Sequence, residues 1–408
     1  MTKYGRSPWL DTVSKARVSA YPRQRGVQQT SVVIVGGGLT GCATAYAFAA
    51  SGVNVVLLEA GQLGRGSTGA ATGWVGGDPG PAFVDVEKAL GRPAAKQVFQ
   101  LWRRAALDCA ALIRRLDIKC GLAPRGTAIV ATTPEQAVRL KRDQKARRDA
   151  GLDAPLLTAR VVKNELGLDA AAAIRENAGA VLDPYRACLG LAGAAADRGA
   201  TIFEASAVRQ IKFGRRKADV ITAGGSIRAN RVIVATGLPT PLFKSLARHF
   251  WFRTAYLAMT ERVPARIRQQ LGHRAAVVRD LAVPPHVVRW VGDEYLLVAG
   301  ADALSPPARQ RDRIVVQRTG QLMYELSTLY PDISGILPEY GWEAPYARTS
   351  DGLPYIGPHR NFPHHLFAFG DSSHGVAGAY AASRMLLRHH LEELEPADRH
   401  FSFTRHGG

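Results

Sequence analysis

The chain has few cysteines and no long apolar run. Its four cysteines, Cys42, Cys109, Cys120 and Cys188, form no C-x-x-C pair, so they indicate neither a zinc site nor a disulfide framework. No stretch approaches the roughly 20 apolar residues that a membrane-spanning helix needs. The segment before Ser31 is polar and basic and is not typical of a secretory signal. We therefore expect a cytoplasmic protein without a transmembrane segment.

Acidic residues are fewer than basic ones. The chain has 34 Asp and Glu and 53 Lys and Arg, which gives a formal net charge of +19. Such an excess is compatible with a nucleic-acid partner. The densest basic run, residues 139–148, contains Asp143 and no aromatic side chain that could stack on a base. That pattern is more typical of a solvated helix face. A nucleic-acid partner is therefore not expected, although the charge alone leaves it open.

What the chain does contain is a complete nucleotide-binding pattern over residues 31–61. A β-branched run at 32–35 predicts a buried strand. The spacing G-x-G-x-x-G follows it at Gly36, Gly38 and Gly41. These glycines permit a tight turn, a close approach to a pyrophosphate and close packing of the next helix. A second strand at 53–58 ends in Glu59, which is placed to bind a ribose and to repel a 2′-phosphate, so the pattern predicts FAD or NAD rather than NADP.

The rest of the chain predicts further helices and strands. Residues 64–80 are rich in Gly, Ser and Thr and predict a loop that wraps a long cofactor, and residues 82–116 predict one helix. Strand patterns near 201–204, 219–222 and 228–234 indicate a return to the nucleotide-binding sheet.

The segments TAYLAM, HVVRWV and EYLLVAG, between residues 251 and 342, alternate like an antiparallel sheet that would roof a substrate pocket. A last strand at 366–369 leads into a glycine-rich loop and an apolar helix at 377–387. The helix N-terminus is suited to a polar, electron-rich group.

The order of these pieces resembles the FAD-dependent amino-acid and amine oxidoreductases, which include glycine oxidase, monomeric sarcosine oxidase and D-amino-acid dehydrogenase. The matching segments include VIVGGGLTG, LLEAG, GSTGAATG, RVIVATG, TSDGLPYIGP and LFAFGDSSHGVAGAYAASRML, and they run from about residue 31 to residue 403. The resemblance implies an α/β fold with an FAD-binding Rossmann-type domain of the glutathione-reductase kind and a second domain with an antiparallel substrate sheet. The implied FAD-binding domain is discontinuous, over 31–85, 178–245 and 345–395. Residues 86–177 and 246–344 form the substrate domain, and residues 1–30 form an N-terminal extension.

The resemblance also assigns cofactor-binding residues. Gly36, Gly38 and Gly41 would hold the FAD pyrophosphate, and Glu59 would hold the ribose. The remaining assignments are Ser67, Thr68 and Ala70 beside the flavin, Val208 near the adenine, Gly237 along the cofactor, and Gly370, Asp371, Gly375 and Val376 around the flavin pyrimidine. The final helix would stabilise negative charge on the reduced ring.

Three departures from the family bear on the substrate. Where the sarcosine oxidase branch has a carboxylate-binding lysine, this chain has Ala377. Where the glycine oxidase branch has a carboxylate-binding arginine, it has Tyr346. The cysteine that tethers flavin in sarcosine oxidase falls near Ala344, so we expect non-covalent FAD. The candidate catalytic residues are His374, Arg289, Tyr346 and Arg348, of which either arginine would suit a bidentate carboxylate.

The resemblance implies an FAD-dependent oxidoreductase that oxidises the C–N bond of an amino acid or secondary amine by hydride transfer to flavin N5. Two alternatives stay open from the residues. One is an RNA-modifying flavoprotein of the same fold, which would use the basic surface. The other is a flavin-binding protein without turnover, which the missing carboxylate-binding residues allow.

Overall fold

The structure, a computed structural model, describes residues 1–14, 20–273, 276–370 and 375–405. Within these residues the strands are β1 (Lys3–Tyr4), β2 (Gly26–Val35), β3 (Val55–Leu58), β4 (Trp74–Gly76), β5 (Ala123–Pro124), β6 (Gly126–Ala131), β7 (Leu156–Thr158), β8 (Ala172–Glu176), β9 (Gly179–Val181), β10 (Thr201–Phe203), β11 (Gln210–Phe213), β12 (Ala218–Ile221), β13 (Gly225–Gly237), β14 (Trp251–Thr260), β15 (Ala276–Asp280), β16 (Val287–Val291), β17 (Tyr295–Leu304), β18 (Pro338–Arg348), β19 (Tyr355–His359) and β20 (Phe362–Phe369).

The α-helices of the described chain are α1 (Pro8–Asp11), α2 (Leu39–Ala50), α3 (Ser67–Ala70), α4 (Phe83–Leu90), α5 (Arg92–Arg115), α6 (Pro134–Asp149), α7 (Ala159–Leu166), α8 (Pro184–Ala196), α9 (Ala265–Gln270), α10 (Arg311–Leu329) and α11 (Val376–Leu391). None of these helices is both long and apolar enough to cross a bilayer, as far as the described residues extend.

The first sheet has the order β10-β3-β2-β13-β12-β11, and β20 also pairs with β13. β10, β3, β2, β13 and β20 are parallel. Helices α2, α8 and α11 cover one face in a large apolar cluster with α5. A parallel sheet covered by helices is the arrangement that the β-branched run at 32–35 predicts. The predicted mixed α/β class is confirmed.

The second sheet has the order β1-β18-β14-β17-β16-β15-β6-β8-β7 and is mainly antiparallel, as predicted. Helix α10 packs on its outer face in a separate apolar cluster. At this outer face His286 contacts Asp280 at 2.6 Å through Nδ1 and Glu325 of α10 at 2.9 Å through Nε2. The inward face meets α3 and β4, so the second sheet packs against elements that follow the glycine-rich turn and β3.

Several predicted boundaries were wrong. The helix predicted over 82–116 is two helices, because Gly91 adopts φ +84° between α4 and α5. The predicted loop at 64–80 contains α3 and β4, and β4 pairs with β9.

The predicted N-terminal extension is part of both sheets. Its first residues form β1, which pairs with Tyr340 and Gly341 of β18, and its last residues begin β2. The early part of β2 pairs with Gly225–Ala229 but is largely exposed, so its side chains carry no apolar pattern.

The basic run at 139–148 lies in helix α6, in agreement with its prediction as a helix. Arg147 does not face solvent, however. It is buried, its Nε donates to the equally buried Asp143 at 2.8 Å, and its guanidinium lies over the Phe99 ring. One of the cations that raised the question of a polyanion partner therefore has a structural role.

Candidate active site

The glycine-rich turn between β2 and α2 is closely packed. A Cβ at Gly41 would lie 1.8 Å from the Gly36 carbonyl oxygen, and one at Gly36 would lie 2.6 Å from the Ala235 carbonyl oxygen. Gly36 also has φ +110°, a conformation that side chains disfavour. These contacts hold the start of α2 against the sheet. The first turn of a helix has N–H groups without intrahelical acceptors, so this end of α2 is suited to phosphate oxygens.

Glu59 lies at the end of β3, beside this turn. Its Oε2 accepts from the Gly37 N–H and its Oε1 accepts from the Gly61 N–H, both at 2.7 Å. Each carboxylate oxygen can accept a further hydrogen bond, so the side chain is held in place and can still bind a ribose hydroxyl. The loop that carries Val208 is attached to the same place, because the Ser206 N–H donates to the Glu59 carbonyl.

Helix α3 forms another wall. Thr68 Oγ1 accepts from the Leu39 N–H at 2.8 Å, which joins α3 to the start of α2, and Ser67 Oγ lies 3.4 Å from the Pro345 carbonyl oxygen of β18. Ser67 and Thr68 line a cavity in the described chain. Ala70 faces the second sheet instead, where its carbonyl accepts from Trp342 Nε1, and the next residue, Ala71, lines the cavity.

The opposite wall of this cavity comes from the later part of the chain. Gly237 and Gly370 lie side by side at the ends of β13 and β20, and Gly375 and Val376 lie at the start of α11. Two predicted site residues, Asp371 and His374, lie outside the described residues.

The arrangement fits FAD. The cavity lies between the beginnings of α2 and α11 and is lined there by glycine and small apolar side chains, so a cofactor backbone could approach closely. A Cβ at Gly370 would lie 2.8 Å from Thr349 Cγ2 and 2.9 Å from Phe250 Cε1. Ala344 also lines this cavity, and none of the four cysteines of the described chain does. The expectation of a non-covalent flavin is consistent with this lining.

The inward face of the second sheet divides into two halves. We call the first the closed half; it is a buried apolar cluster that includes Trp9, Trp74, Leu257 and Trp342. Trp9 Nε1 donates to the Ala71 carbonyl at 2.8 Å, and Trp342 Nε1 donates to the Ala70 carbonyl at 2.9 Å. The closed half therefore supports the loop beside the flavin cavity.

Arg289, a predicted catalytic residue, belongs to the closed half. It is buried, its guanidinium lies over the Trp9 ring at 5.1 Å, and its Nη2 donates to the Leu182 carbonyl at 3.1 Å. Burial lowers the pKa of Arg289 to about 9, while the charge of Asp183 raises it. Arg289 is not among the residues that line the cavity.

We call the second half the open half and define it as Arg253, Asp302, Tyr346 and Arg348. Tyr346 lines the cavity and is paired in register with Arg253 on β14. The Tyr346 hydroxyl donates to Asp302 Oδ2 at 2.5 Å. Burial, together with the charge and hydrogen bond of Asp302, raises the pKa of Tyr346 well above its usual range, so the hydroxyl remains a donor.

A β-bulge brings Asp302 to this face. The register between β14 and β17 shifts between Thr254 and Tyr256, and Ala301 adopts φ +52°. A bulge places an extra residue on one strand and changes the direction of a side chain, and bulges are common beside active sites. Here it places a carboxylate on the face that carries two arginines.

Of the predicted catalytic residues, the structure brings Tyr346 and Arg348 together and separates Arg289 from them. The sequence analysis missed Arg253 and Asp302. Alternation along WFRTAYLAM does put Arg253 on the same face as Leu257, so this signal was present. No sequence signal predicts the bulge at Ala301.

Comparison with known proteins agrees with this geometry. The family model described as FAD dependent oxidoreductase, DAO, matches residues 31–388. The chain belongs to this family. It is therefore an FAD-dependent oxidoreductase, and the predicted family and cofactor are confirmed.

Among relatives in the DAO family, gamma-glutamylputrescine oxidoreductase of Escherichia coli K12 is 26% identical over 373 residues, which cover 89% of this chain and 85% of that protein. Glycine oxidase of Geobacillus kaustophilus HTA426 is 28% identical over 392 residues, which cover 92% of this chain and 97% of that protein.

Solved structures share the fold. Glycine oxidase from Geobacillus kaustophilus superposes with a TM-score of 0.76 at 23% identity, covering 93% of this chain and 100% of that one. L-amino acid deaminase from Proteus myxofaciens, solved with anthranilate, gives a TM-score of 0.77 at 18% identity and covers all of both chains.

Proposed function

We propose that this DAO-family protein oxidises the carbon–nitrogen bond of an amino acid or a secondary amine. The observation that carries the proposal is the position of the open half. Tyr346 lines the cavity that fits FAD, and Arg253, Asp302 and Arg348 lie around it on the same sheet face. A few polar groups in a mainly apolar cavity, here the Tyr346 hydroxyl with charged neighbours on the same sheet face, are typical of a substrate site.

The relatives support the reaction class. One is described as an oxidoreductase of gamma-glutamylputrescine and several as glycine oxidases. In this class the carbon beside the nitrogen loses a hydride and the nitrogen loses a proton, and the imine then adds water to give a carbonyl compound and an amine. FAD, when bound, supplies the two-electron acceptor.

The chain's own residues have two tasks. The turn at Gly36–Gly41 and the side chains of Glu59 and Thr68 would hold the cofactor. The open half would orient the substrate, and its two arginines would disfavour the protonated form of a nearby amine by charge repulsion.

The test begins with the visible spectrum of the purified protein, which reports bound flavin. The protein is then mixed anaerobically with a panel of amino acids, N-methyl amino acids and polyamines. We expect at least one compound to bleach the flavin band. Arg348→Met should slow this reduction, whereas Arg266→Met, an exposed arginine in α9 beyond the other end of β14, should not.

Other outcomes contradict the proposal. A bound flavin that no compound bleaches would favour an RNA-modifying or a non-catalytic flavoprotein. A colourless protein that FAD does not reconstitute would contradict the cofactor site itself.

A further inference from the structure

Three alternate side chains near the end of the described chain pack into the molecule. Phe401 is fully buried, and its ring stacks on Trp102. The Phe403 ring stacks on Tyr355 with 4.8 Å between the centroids, and the side chain of Arg405 is only 1% exposed. The last residues of a domain are usually poorly ordered unless contacts hold them, so this segment is held in one place. We call Phe401, Phe403 and Arg405 the C-terminal anchor.

Arg405 holds the loop between β18 and β19. Its Nε donates to Asp351 Oδ2 and its Nη2 donates to Asp351 Oδ1, both at 2.7 Å, and the Asp351 side chain is 4% exposed. The same guanidinium donates to the carbonyls of Leu353 and Pro354, also at 2.7 Å. It lies over the Tyr355 ring, 3.7 Å from the centroid. The planar, forked shape of a guanidinium permits all these contacts at once, which a lysine ammonium does not match.

The loop that Arg405 holds forms part of the wall of the flavin cavity. Pro354 lines this cavity. Thr349 supports the wall at Gly370, where a Cβ would lie 2.8 Å from Thr349 Cγ2. The Thr349 hydroxyl donates to the Leu353 carbonyl at 2.8 Å, and this carbonyl also accepts from Arg405. The guanidinium is therefore joined to the cavity wall at two points, directly at Pro354 and through the Leu353 carbonyl.

We infer that Arg405 is a positioning residue of the cofactor site, and that the C-terminal anchor fixes the cavity wall against which FAD binds. A wall that is already held in place costs less to order when the ligand binds, so FAD binds more tightly. Without Arg405, the buried carboxylate of Asp351 would lose its paired cation, and the loop would have to move to compensate. This role concerns the cofactor and extends beyond the amine oxidation proposed above.

The first test measures the release of FAD from the holoenzyme. The FAD-loaded protein is diluted in steps, and the fluorescence of the released FAD gives the dissociation constant. Arg405→Met should weaken FAD binding by about 10–100-fold, because charge-assisted hydrogen bonds to the loop are lost. Arg405→Lys keeps the charge without the fork, so it should recover part of this loss.

Arg388 is the matched control. It donates from Nε and Nη2 to the buried Asp398, at 2.7 and 2.5 Å, so it forms the same kind of pair near the end of the chain. Neither Arg388 nor Asp398 is among the residues that line the cavity. Arg388→Lys should lower the urea midpoint of unfolding much as Arg405→Lys does. It should change the FAD dissociation constant by less than about 2-fold.

The second test examines the link from the loop to the cavity wall. Thr349→Val keeps the shape of the side chain but loses the hydroxyl that donates to the Leu353 carbonyl. It should weaken FAD binding by about 2–10-fold and change the visible circular dichroism of the bound flavin. Thr319→Val is the control, because this buried hydroxyl donates to the Val315 carbonyl within α10. It should leave both readouts unchanged. This pair of variants keeps the inference testable if the Arg405 variants fail to fold.

Two results would overturn the role of Arg405. One is an FAD dissociation constant that is the same in wild type, Arg405→Lys and Thr349→Val. The other is equal weakening of FAD binding in Arg405→Lys and Arg388→Lys, because both pairs would then act through overall stability. The amine oxidation is tested separately. If FAD binding depends on Arg405 but no amine reduces the flavin, the proposed oxidation fails while the role of Arg405 stands.

Discussion

The closed and open halves lie on one face of one sheet, yet the first is mainly apolar and the second is polar and charged. The closed half holds buried tryptophans and one buried arginine under the N-terminal segment. The open half holds two arginines, an aspartate and a tyrosine, and of these Tyr346 lines the flavin cavity. The difference shows that a position on a strand of this sheet does not by itself make an arginine a substrate-binding residue. Arg289 lies over the Trp9 ring and donates to the Leu182 carbonyl, whereas Arg253 makes no such contact within the described residues, although the Nε atom of each arginine is buried without an acceptor there.

The largest effect should come from a tryptophan of the closed half. Trp342→Ala removes a buried ring and its hydrogen bond to Ala70, so we expect a loss of about 3–5 kcal/mol in the free energy of unfolding. Trp251 is the matched control, because it lies on the same face but is 55% exposed. Urea unfolding of Trp251→Ala should show a loss below about 1 kcal/mol. Equal losses would mean that the two halves do not differ in packing.

The next effect concerns the outer face, where the charged contacts of His286 add to the apolar packing of α10. Burial lowers the pKa of His286, but the hydrogen bonds and charges of Asp280 and Glu325 outweigh it and raise the pKa from 6.5 to about 9. This corresponds to roughly 3 kcal/mol of stabilisation, present in full below pH 6.5 and lost as the pH rises through 9.

Melting temperature measured from pH 6 to pH 10 tests this sign. His286→Gln should lower stability at pH 6 and should flatten the decline at higher pH. The exposed His273 provides the control, and His273→Gln should keep the wild-type profile. A wild-type protein that becomes more stable between pH 7 and pH 9 would contradict the assignment.

A smaller effect should show whether Trp9 holds the loop beside the flavin cavity or only fills space in the closed half. Trp9→Phe keeps a ring over Arg289 but loses the hydrogen bond to the Ala71 carbonyl, so we expect about 1–2 kcal/mol lower stability and weaker FAD binding. Trp74→Phe loses a comparable hydrogen bond, but this one joins β4 to Thr127 of β6 and not to the Ala70 or Ala71 carbonyl. It should lower stability without changing the FAD dissociation constant. If both variants bind FAD equally, Trp9 has no role in holding the loop.

The smallest effect is expected at Arg289. Arg289→Met replaces a buried cation that has one hydrogen bond with an apolar side chain, a change that is often nearly neutral in stability. The rate constant of anaerobic flavin reduction should stay within about 2-fold of wild type. A large drop in this rate with unchanged unfolding would place the substrate in the closed half.

Much of the fold could be predicted because its signals are local. The β-branched run before Gly36, the glycine spacing and the position of Glu59 all depend on residues close in sequence. The break at Gly91 was missed because the apolar pattern continues across it, and β1 was missed because a two-residue strand has no pattern of its own.

The candidate site was harder to predict because it depends on register between distant strands. Arg253, Asp302 and Tyr346 come from three strands, and only the pairing of β14 with β17 and β18 brings them together. Arg289 was included because the resemblance gives many relatives an arginine at this place in the sheet that roofs the pocket. Sequence alternation gave its face correctly but could not show that Trp9, 280 residues earlier, covers it.

The most direct measurement is a crystal structure of the FAD-loaded protein with propionate bound. We predict the propionate beside Tyr346 in the open half, with Arg289 still lying over the Trp9 ring. A carboxylate bound to Arg289, with Trp9 displaced from the closed half, would contradict the account.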